Sequence, residues 1–147
     1  YRNSKVKTMR KLLLLLTIAI FYSCEKNEVL DLLPSLSVNI SVDRNLPQYI
    51  NLQTPSGWAY ANGGLRGILV LNTGIGTPPF KAFDRACPNN DCPAPMDFDG
   101  SLKMKCTCDD SEYSIIDGSP QTSGHKQFAR EYKVNVSGGS ILNIRNF

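Results

Sequence analysis

Four cysteines lie in two short clusters, and their side chains are the ones in this chain best suited to chemistry. The first cluster runs C-P-N-N-D-C from Cys87 to Cys92, and the second runs C-T-C-D from Cys106 to Asp109. Cysteine thiolates hold iron–sulfur clusters, whereas in an oxidising compartment cysteines form disulfides. The two clusters therefore predict either a metal centre or a pair of covalent cross-links.

Thiol–disulfide chemistry between Cys106 and Cys108 is a further alternative. A redox-active pair of this kind needs a thiolate that is stabilised by positive charge or by a helix N-terminus. Here the following residues are acidic, at Asp109, Asp110 and Glu112. Negative charge raises the pKa of a thiol, so the sequence disfavours a reactive pair at this motif.

The sequence contains no second set of catalytic residues. Its only histidine, His125, lies in an S-G-H-K stretch that predicts a solvated loop. A serine or cysteine hydrolase needs a nucleophile paired with a base, and no such spacing is present. No glycine-rich loop suggests a nucleotide site. We therefore expect a protein that is not an enzyme.

The N-terminal 24 residues resemble a bacterial lipoprotein signal peptide that follows a few upstream residues. Basic Arg10 and Lys11 precede an apolar run from Leu12 to Tyr22, and Ser23 and Cys24 follow it. The run is shorter than the roughly 20 residues that cross a bilayer as a helix, and it fits the apolar region of a signal peptide. Cys24 is thus the predicted lipidation site.

A lipidated Cys24 predicts a location in the bacterial cell envelope. Acyl chains on this residue would tether the protein to the membrane, and residues 25–35 would form a short linker before a folded domain at residues 36–147. Glu25 follows the cysteine in place of the aspartate that favours inner-membrane retention, so by analogy we expect the outer membrane, facing the periplasm or the cell surface. Disulfides persist in such a compartment.

Composition indicates one ordinary globular domain. The chain has 147 residues, of which 41% are hydrophobic and 20% charged, with a net charge of +3. Much of the positive charge lies in the predicted leader, so the remainder is close to neutral and lacks the basic patch of a nucleic-acid-binding protein. We expect a membrane and an unidentified envelope protein as partners, and no nucleic acid.

Short apolar–polar alternations separated by turn signals predict an all-β domain, either a small sandwich or a barrel. No segment has a long helical period. Gly67–Leu71 is apolar throughout and predicts a strand covered on both faces. The other predicted strands follow the alternation of apolar and polar residues, or lead into or out of the cysteine clusters: 38–42, 49–52, 57–60, 80–83, 102–105, 113–116, and a terminal hairpin at 130–136 and 140–144.

The cysteine spacing resembles that of the Rieske iron–sulfur family. That family has a C-x-H motif, about fifteen to seventeen residues, and then C-x-x-H, and its respiratory branch adds one cysteine after each ligand pair. Here sixteen residues separate Asn89 from Cys106. The flank also agrees, because Ser111 and Tyr113 stand where the family has serine and an aromatic residue, although Asp110 replaces a glycine. The resemblance implies a Rieske-like domain with a cluster-loop subdomain.

On this resemblance Cys87 and Cys106 occupy the cysteine-ligand positions, but the histidine ligands are missing. Asn89 and Asp109 stand in their places. A Rieske centre needs two imidazoles on one iron. An amide is a weak ligand, and a carboxylate is better suited to magnesium or calcium than to an iron–sulfide core. The two residues that depart from the family are therefore at the positions of its histidine ligands.

Two hypotheses follow from the resemblance. In the first the cofactor is lost and all four cysteines are structural, with Cys92–Cys108 paired as in the family and Cys87–Cys106 paired where the cluster would lie. The protein then has a structural or binding role. In the alternative a [2Fe–2S] cluster is held by Cys87, Cys106 and the atypical ligands Asn89 and Asp109, and the protein carries electrons. We expect no cofactor.

Overall fold

Eight β-strands and one short 3-10 helix make up the regular structure of residues 33–147, the part of the chain described by this computed structural model. The 3-10 helix covers Pro47–Gln53. The all-β prediction is confirmed. The strands are β1 (Asn39–Asp43), β2 (Trp58–Ala61), β3 (Ile68–Asn72), β4 (Phe80–Asp84), β5 (Lys103–Lys105), β6 (Glu112–Ser114), β7 (Glu131–Ser137) and β8 (Ile141–Arg145).

Six strands form one antiparallel sheet, and the other two form a small separate ribbon. The order in the large sheet is β1-β8-β7-β4-β3-β2, and β5 pairs with β6. The ribbon lies between β4 and β7 in the chain, so it is an insertion that carries the second cysteine cluster. This arrangement matches the predicted domain with a cluster-loop subdomain.

β3 joins two hydrophobic cores because both of its faces are buried. Ile68 and Val70 belong to the core of the large sheet, whereas Leu69 and Leu71 belong to a second core shared with the subdomain. Alternate side chains of a strand point to opposite faces, so a continuous apolar run suits this position. The sequence prediction of a doubly covered strand is confirmed.

The second core positions the cysteines. It includes Phe83 of the sheet, Met104 of the ribbon, Met96, and Cys87 and Cys106 of the two cysteine clusters. Burial of apolar area contributes about 25 cal/mol for each Å² removed from water. The cysteine clusters are therefore anchored on the sheet by packing as well as by covalent bonds.

The predicted terminal hairpin is present, but one predicted strand is wrong. β7 and β8 pair through the turn at Gly138 and Gly139, both of which have positive φ angles. Residues 49–52 lie in the 3-10 helix instead of a strand. Pro47 at its start presets φ near the helical value and lacks the N–H that a ladder requires, and Leu52 is the one buried side chain of the segment.

The first described residues contact the folded domain. Arg130 donates hydrogen bonds from its guanidinium to the carbonyl oxygens of Leu33 and Pro34, at 2.8 and 2.7 Å. These two residues fall in the predicted linker. Cys24 and the rest of the leader and linker lie outside the described residues. Within residues 33–147 no helix is long and apolar enough to cross a membrane.

Candidate functional site

Asp84, at the end of β4, fixes the backbone where the chain enters the first cysteine cluster. Its buried carboxylate accepts hydrogen bonds from the N–H of Leu65 at 2.7 Å, the N–H of Ala86 at 2.8 Å and the hydroxyl of Tyr132 at 2.6 Å. A buried carboxylate is tolerated when its oxygens are satisfied in this way. Burial, together with the bond to Asp84, raises the pKa of the Tyr132 hydroxyl.

Each cysteine cluster forms a loop closed by hydrogen bonds. Loop 1 (residues 86–95) turns where the N–H of Asn90 donates to the carbonyl of Cys87 at 2.9 Å, and loop 2 (residues 106–111) where the N–H of Asp110 donates to the carbonyl of Cys106 at 3.1 Å. Asn90 and Asp110 have φ angles of 55° and 60°. Asparagine and aspartate tolerate this left-handed conformation better than other non-glycine residues.

Two disulfides join loop 1 to loop 2. Cys87 bonds Cys106 with a Cα–Cα distance of 5.6 Å, and Cys92 bonds Cys108 with a Cα–Cα distance of 5.7 Å. Both distances lie in the usual range for disulfides. Cys106 and Cys108 are thus not a redox pair with each other, because each cross-links to the opposite loop. Cys87 and Cys106 are almost completely buried.

His125 lies beside both positions where the resemblance would place histidines. Its Nδ1 is 2.9 Å from Asn89 Nδ2, so the amide donates to the ring. Its Nε2 is 4.0 Å from Asp109 Oδ2. The prediction of a solvated loop histidine is wrong, since only 20% of this side chain is exposed. The loop assignment itself is correct.

Ser111 and Tyr113 form the base of the site. The Ser111 hydroxyl donates to Asp109 Oδ1 at 2.7 Å, and the Tyr113 hydroxyl lies 3.3 Å from Ser111 Oγ and 3.5 Å from His125 Nδ1. Tyr113 is completely buried. Burial raises the pKa of Tyr113, so its hydroxyl stays protonated. The bond from Ser111 lowers the pKa of Asp109, which therefore stays a carboxylate.

The contact of His125 could not be predicted from the chain alone. Thirty-six residues separate it from Asn89, and no periodic pattern links a loop to so distant a position. The sequence interval between Asp109 and His125 does not form a recognisable motif. Only the packing of loop 2 and the segment after β6 onto loop 1 brings the ring to the site.

The fold matches that of a known protein, whereas the sequence comparisons are negative. No family model matches the chain, and no curated protein matches it. The crystal structure of the plasma-membrane Rieske protein PetC3 from the cyanobacterium Synechocystis PCC 6803 is similar at a TM-score of 0.53 and 19% identity, covering 71% of this chain and 97% of that one. The chain therefore has a Rieske-like fold.

A second solved structure is similar at a lower level. It is the ferredoxin of carbazole 1,9a-dioxygenase from Nocardioides aromaticivorans IC177, with a TM-score of 0.47 and 18% identity, covering 77% of this chain and all of that one. At these identities the likeness concerns the fold, and function has to be argued from the residues of the site.

The donor atoms of this site do not fit a Rieske cluster. Such a centre needs two thiolates and two imidazoles. Here the sulfurs of Cys87 and Cys106 are bonded to each other. One imidazole, that of His125, is present, and it is hydrogen-bonded to Asn89. Asp109 supplies a hard carboxylate, which is a poor match for an iron–sulfide core.

Proposed function

We propose that this protein is a Rieske-like domain of the bacterial cell envelope that has lost its iron–sulfur cluster and has a structural or binding role. The observation that carries the proposal is the buried Cys87–Cys106 disulfide. It uses the two sulfurs that a cluster would require. Closing this loop constrains the unfolded chain by about 3 kcal/mol on the chain-entropy account, so the disulfide supplies stability that a cofactor would otherwise give.

The partners of Asn89 and Asp109 support a site without a metal. The Asn89 amide donates to His125, and both the N–H and the hydroxyl of Ser111 donate to Asp109 Oδ1. The Asn89–His125 bond joins loop 1 to the segment after β6, and the two bonds to Asp109 hold the turn of loop 2. A network of this kind stabilises the fold without an ion.

The proposed role does not include catalysis by this chain. The single histidine hydrogen-bonds an amide, whereas a general base for a hydrolase would contact a nucleophile. The predicted lipid on Cys24 would tether the domain to a membrane, and an envelope protein would be its binding partner. The two disulfides agree with a compartment outside the cytoplasm.

The competing proposal is an electron carrier with an atypical [2Fe–2S] cluster. The position of His125 favours it, because one imidazole lies beside the sites of Asn89 and Asp109. Cys87 and Cys106 would then have to bind iron as thiolates instead of forming a disulfide. The two proposals therefore make opposite predictions about iron.

Iron and sulfide content separates the two proposals. The full chain is purified without reductant, and iron, acid-labile sulfide and visible absorbance are measured for each chain. We expect no iron and no absorbance bands of a cluster. Two irons and two sulfides for each chain would contradict the loss of the cluster and establish the electron carrier.

Membrane association is tested separately. We expect the wild-type chain in the membrane fraction and a Cys24→Ser variant in the soluble fraction, since the variant lacks the thiol that is acylated. A Cys87→Ser/Cys106→Ser variant, which retains Cys24, is the matched control and should remain with the membrane. Wild-type and Cys24→Ser chains that fractionate alike would contradict a lipid anchor at this residue.

A further inference from the structure

The two disulfides lie next to each other where they join loop 1 to loop 2. The sulfurs of Cys87, Cys92 and Cys106 are all within 4.8 Å of one another. Cys92 belongs to the second disulfide, so its sulfur is the point where the two cross-links meet. A thiolate attacks a disulfide sulfur directly, and the proximity of Cys92 to the other disulfide makes such an attack possible after a small movement.

The four cysteine residues differ in their exposure to solvent. Cys108 is an exposed residue, whereas Cys92, Cys87 and Cys106 are 6%, 1% and 0% exposed. Disulfide exchange needs access to the sulfur that is attacked. An external thiol therefore reaches Cys108 first, and the Cys87–Cys106 disulfide is not directly accessible in the folded protein.

Thr107 is placed to stabilise the sulfur that leaves when Cys108 is attacked. Its Oγ1 lies 3.8 Å from Cys92 Sγ. A hydroxyl that donates to a thiolate favours the charged form, and a better-stabilised leaving thiolate departs faster. Attack at Cys108 thus releases Cys92 next to both a hydrogen-bond donor and the second disulfide.

We propose that the two disulfides form a relay that accepts two electrons from a protein dithiol through Cys108. A thiolate of the partner attacks Cys108 Sγ, forming a mixed disulfide and releasing the Cys92 thiolate. Cys92 then attacks the Cys87–Cys106 disulfide, bonding one of its sulfurs and releasing the other as a thiolate. The second thiol of the partner, after losing its proton, attacks the partner's own sulfur in the mixed disulfide. This forms the partner's disulfide and releases the Cys108 thiolate, and both thiolates left on the chain are then protonated.

The relay is balanced in atoms and electrons. The partner dithiol leaves as a disulfide, having given up two electrons and two protons. The chain gains two electrons and keeps one of its two disulfides, now between Cys92 and either Cys87 or Cys106. This chemistry differs from a redox pair within the C-T-C motif, because the nucleophile is external and the leaving group is Cys92.

Charge near Cys108 indicates the kind of dithiol that fits. Asp91, Asp109 and Asp110 are all exposed, and of these Asp110 pairs with Lys105 at 2.8 Å. Carboxylate oxygens of Asp91 and Asp109 lie within 4.8 Å of Cys106 Sγ, so the charge beside the disulfides is predominantly negative. Complementary charge raises association rates, so the partner should carry its thiols on a basic surface.

The relay rests on the proposed function, since a cluster would occupy Cys87 and Cys106. The test therefore begins with iron-free full-length chain, verified by iron analysis. Dithiothreitol is added below one equivalent, the reaction is stopped with acid, free thiols are alkylated, and disulfide-linked peptides are mapped over time. We expect transient peptides that link Cys92 to Cys87 or to Cys106.

A variant that lacks the Cys92–Cys108 disulfide tests whether electrons enter through it. In Cys92→Ser/Cys108→Ser we expect reduction of Cys87–Cys106 to be at least about tenfold slower than in the wild type, because only local opening would expose it. In the matched control Cys87→Ser/Cys106→Ser, the Cys92–Cys108 disulfide should still be reduced, because Cys108 remains exposed. Equal reduction rates of Cys87–Cys106 in a variant that melts like the wild type would overturn the relay.

Peptide mapping of the wild type decides the question if the variant is destabilised. Absence of any peptide that links Cys92 to Cys87 or Cys106 in iron-free protein would overturn the relay and leave the proposed function intact. Iron in the purified chain would instead contradict the proposed function.

The charge of the partner is tested with two small thiols. Cationic cysteamine should react at Cys108 faster than anionic 2-mercaptoethanesulfonate at low salt, and equal rates would contradict a basic partner.

Discussion

Ser111 holds Asp109 with two hydrogen bonds to the same oxygen, from its N–H at 3.0 Å and from its hydroxyl at 2.7 Å. These bonds, the one from the hydroxyl above all, lower the pKa of Asp109. The carboxylate is therefore used within its own loop. At the scale of single residues, Asp109, which stands where the family has a histidine ligand, is part of a hydrogen-bonded turn.

Substitution of Ser111 by alanine tests this assignment through pH dependence. We expect the free energy of unfolding near neutral pH to fall by about 1 kcal/mol, the typical loss of one hydrogen bond. The folded pKa of Asp109 lies below the unfolded value of about 3.9. The stability that ionised Asp109 gives the fold is therefore fully present above the unfolded pKa, and it is lost as pH falls through the folded pKa.

The Ser111→Ala variant should accordingly lose less stability than the wild type on acidification from about pH 5 to pH 2.5, measured by urea unfolding. Asp109→Asn is the control, because it removes the titrating group, and adding Ser111→Ala to it should leave the pH dependence unchanged. Equal losses in the wild type and in Ser111→Ala would show that Ser111 does not hold the carboxylate.

The residues of the site are predictable to different degrees. The four cysteines, Ser111 and Tyr113 are identified through the resemblance to the Rieske family, whose motif residues are near each other in sequence. His125 does not, because its contact with Asn89 depends on how separate segments pack. The resemblance therefore identifies the residues of the two loops, whereas their contacts with distant segments require the folded structure.

Gly118 is fixed at the turn after β6 by close contact with the neighbouring chain segment. Its N–H donates to the carbonyl of Ser114 at 2.9 Å, and its carbonyl accepts from the N–H of Ala129 at 2.8 Å. A Cβ at this position would lie 2.7 Å from the Ala129 carbonyl oxygen, and φ is +74°. At the scale of elements, this turn ties the end of the ribbon to the segment that precedes β7.

We expect Gly118→Ala to lower the free energy of unfolding by about 3 kcal/mol, from left-handed strain and overpacking together. Gly124→Ala is the matched control, since φ is +89° but a Cβ added there would meet no heavy atom within 4 Å. It should cost only about 1 kcal/mol, from strain alone. Urea unfolding measures both, and equal costs would contradict a packing role for Gly118.

Tyr132 links β7 to the end of β4 through Asp84. Removing the hydroxyl in Tyr132→Phe should destabilise the fold by about 2 kcal/mol, because a hydrogen bond to a buried carboxylate is lost. Tyr49→Phe is the control and should change stability by less than about 0.5 kcal/mol. Thermal or urea unfolding checks both, and a neutral Tyr132→Phe would contradict the role of this bond.

Strands are predictable where one physical signal dominates. The apolar run identifies β3, and alternation around Gly138 and Gly139 identifies the hairpin of β7 and β8. The strand prediction for residues 49–52 is wrong because a stretch of four residues fits the period of a helix as well as that of a strand. Pro47 favours the helical turn. The pairing of β1 with β8 connects distant segments, which no local pattern encodes.

Residues 33–147 contain two cores that share β3, and the cysteine loops cover one of them. The disulfides cross-link those loops where the family resemblance implies a cofactor. This arrangement explains how a Rieske-like fold is kept although the donor atoms do not suit a cluster. It also predicts that Cys87 and Cys106 are disulfide-bonded to each other in the folded protein.

Direct determination of the bonding of these two sulfurs tests the central claim. The full chain is purified without reductant, acid-quenched, alkylated and digested, and the peptides that contain Cys87 and Cys106 are identified by mass. We predict a single disulfide-linked peptide pair and no alkylation at either residue. Both cysteines alkylated, in a sample that holds two irons for each chain, would contradict the account.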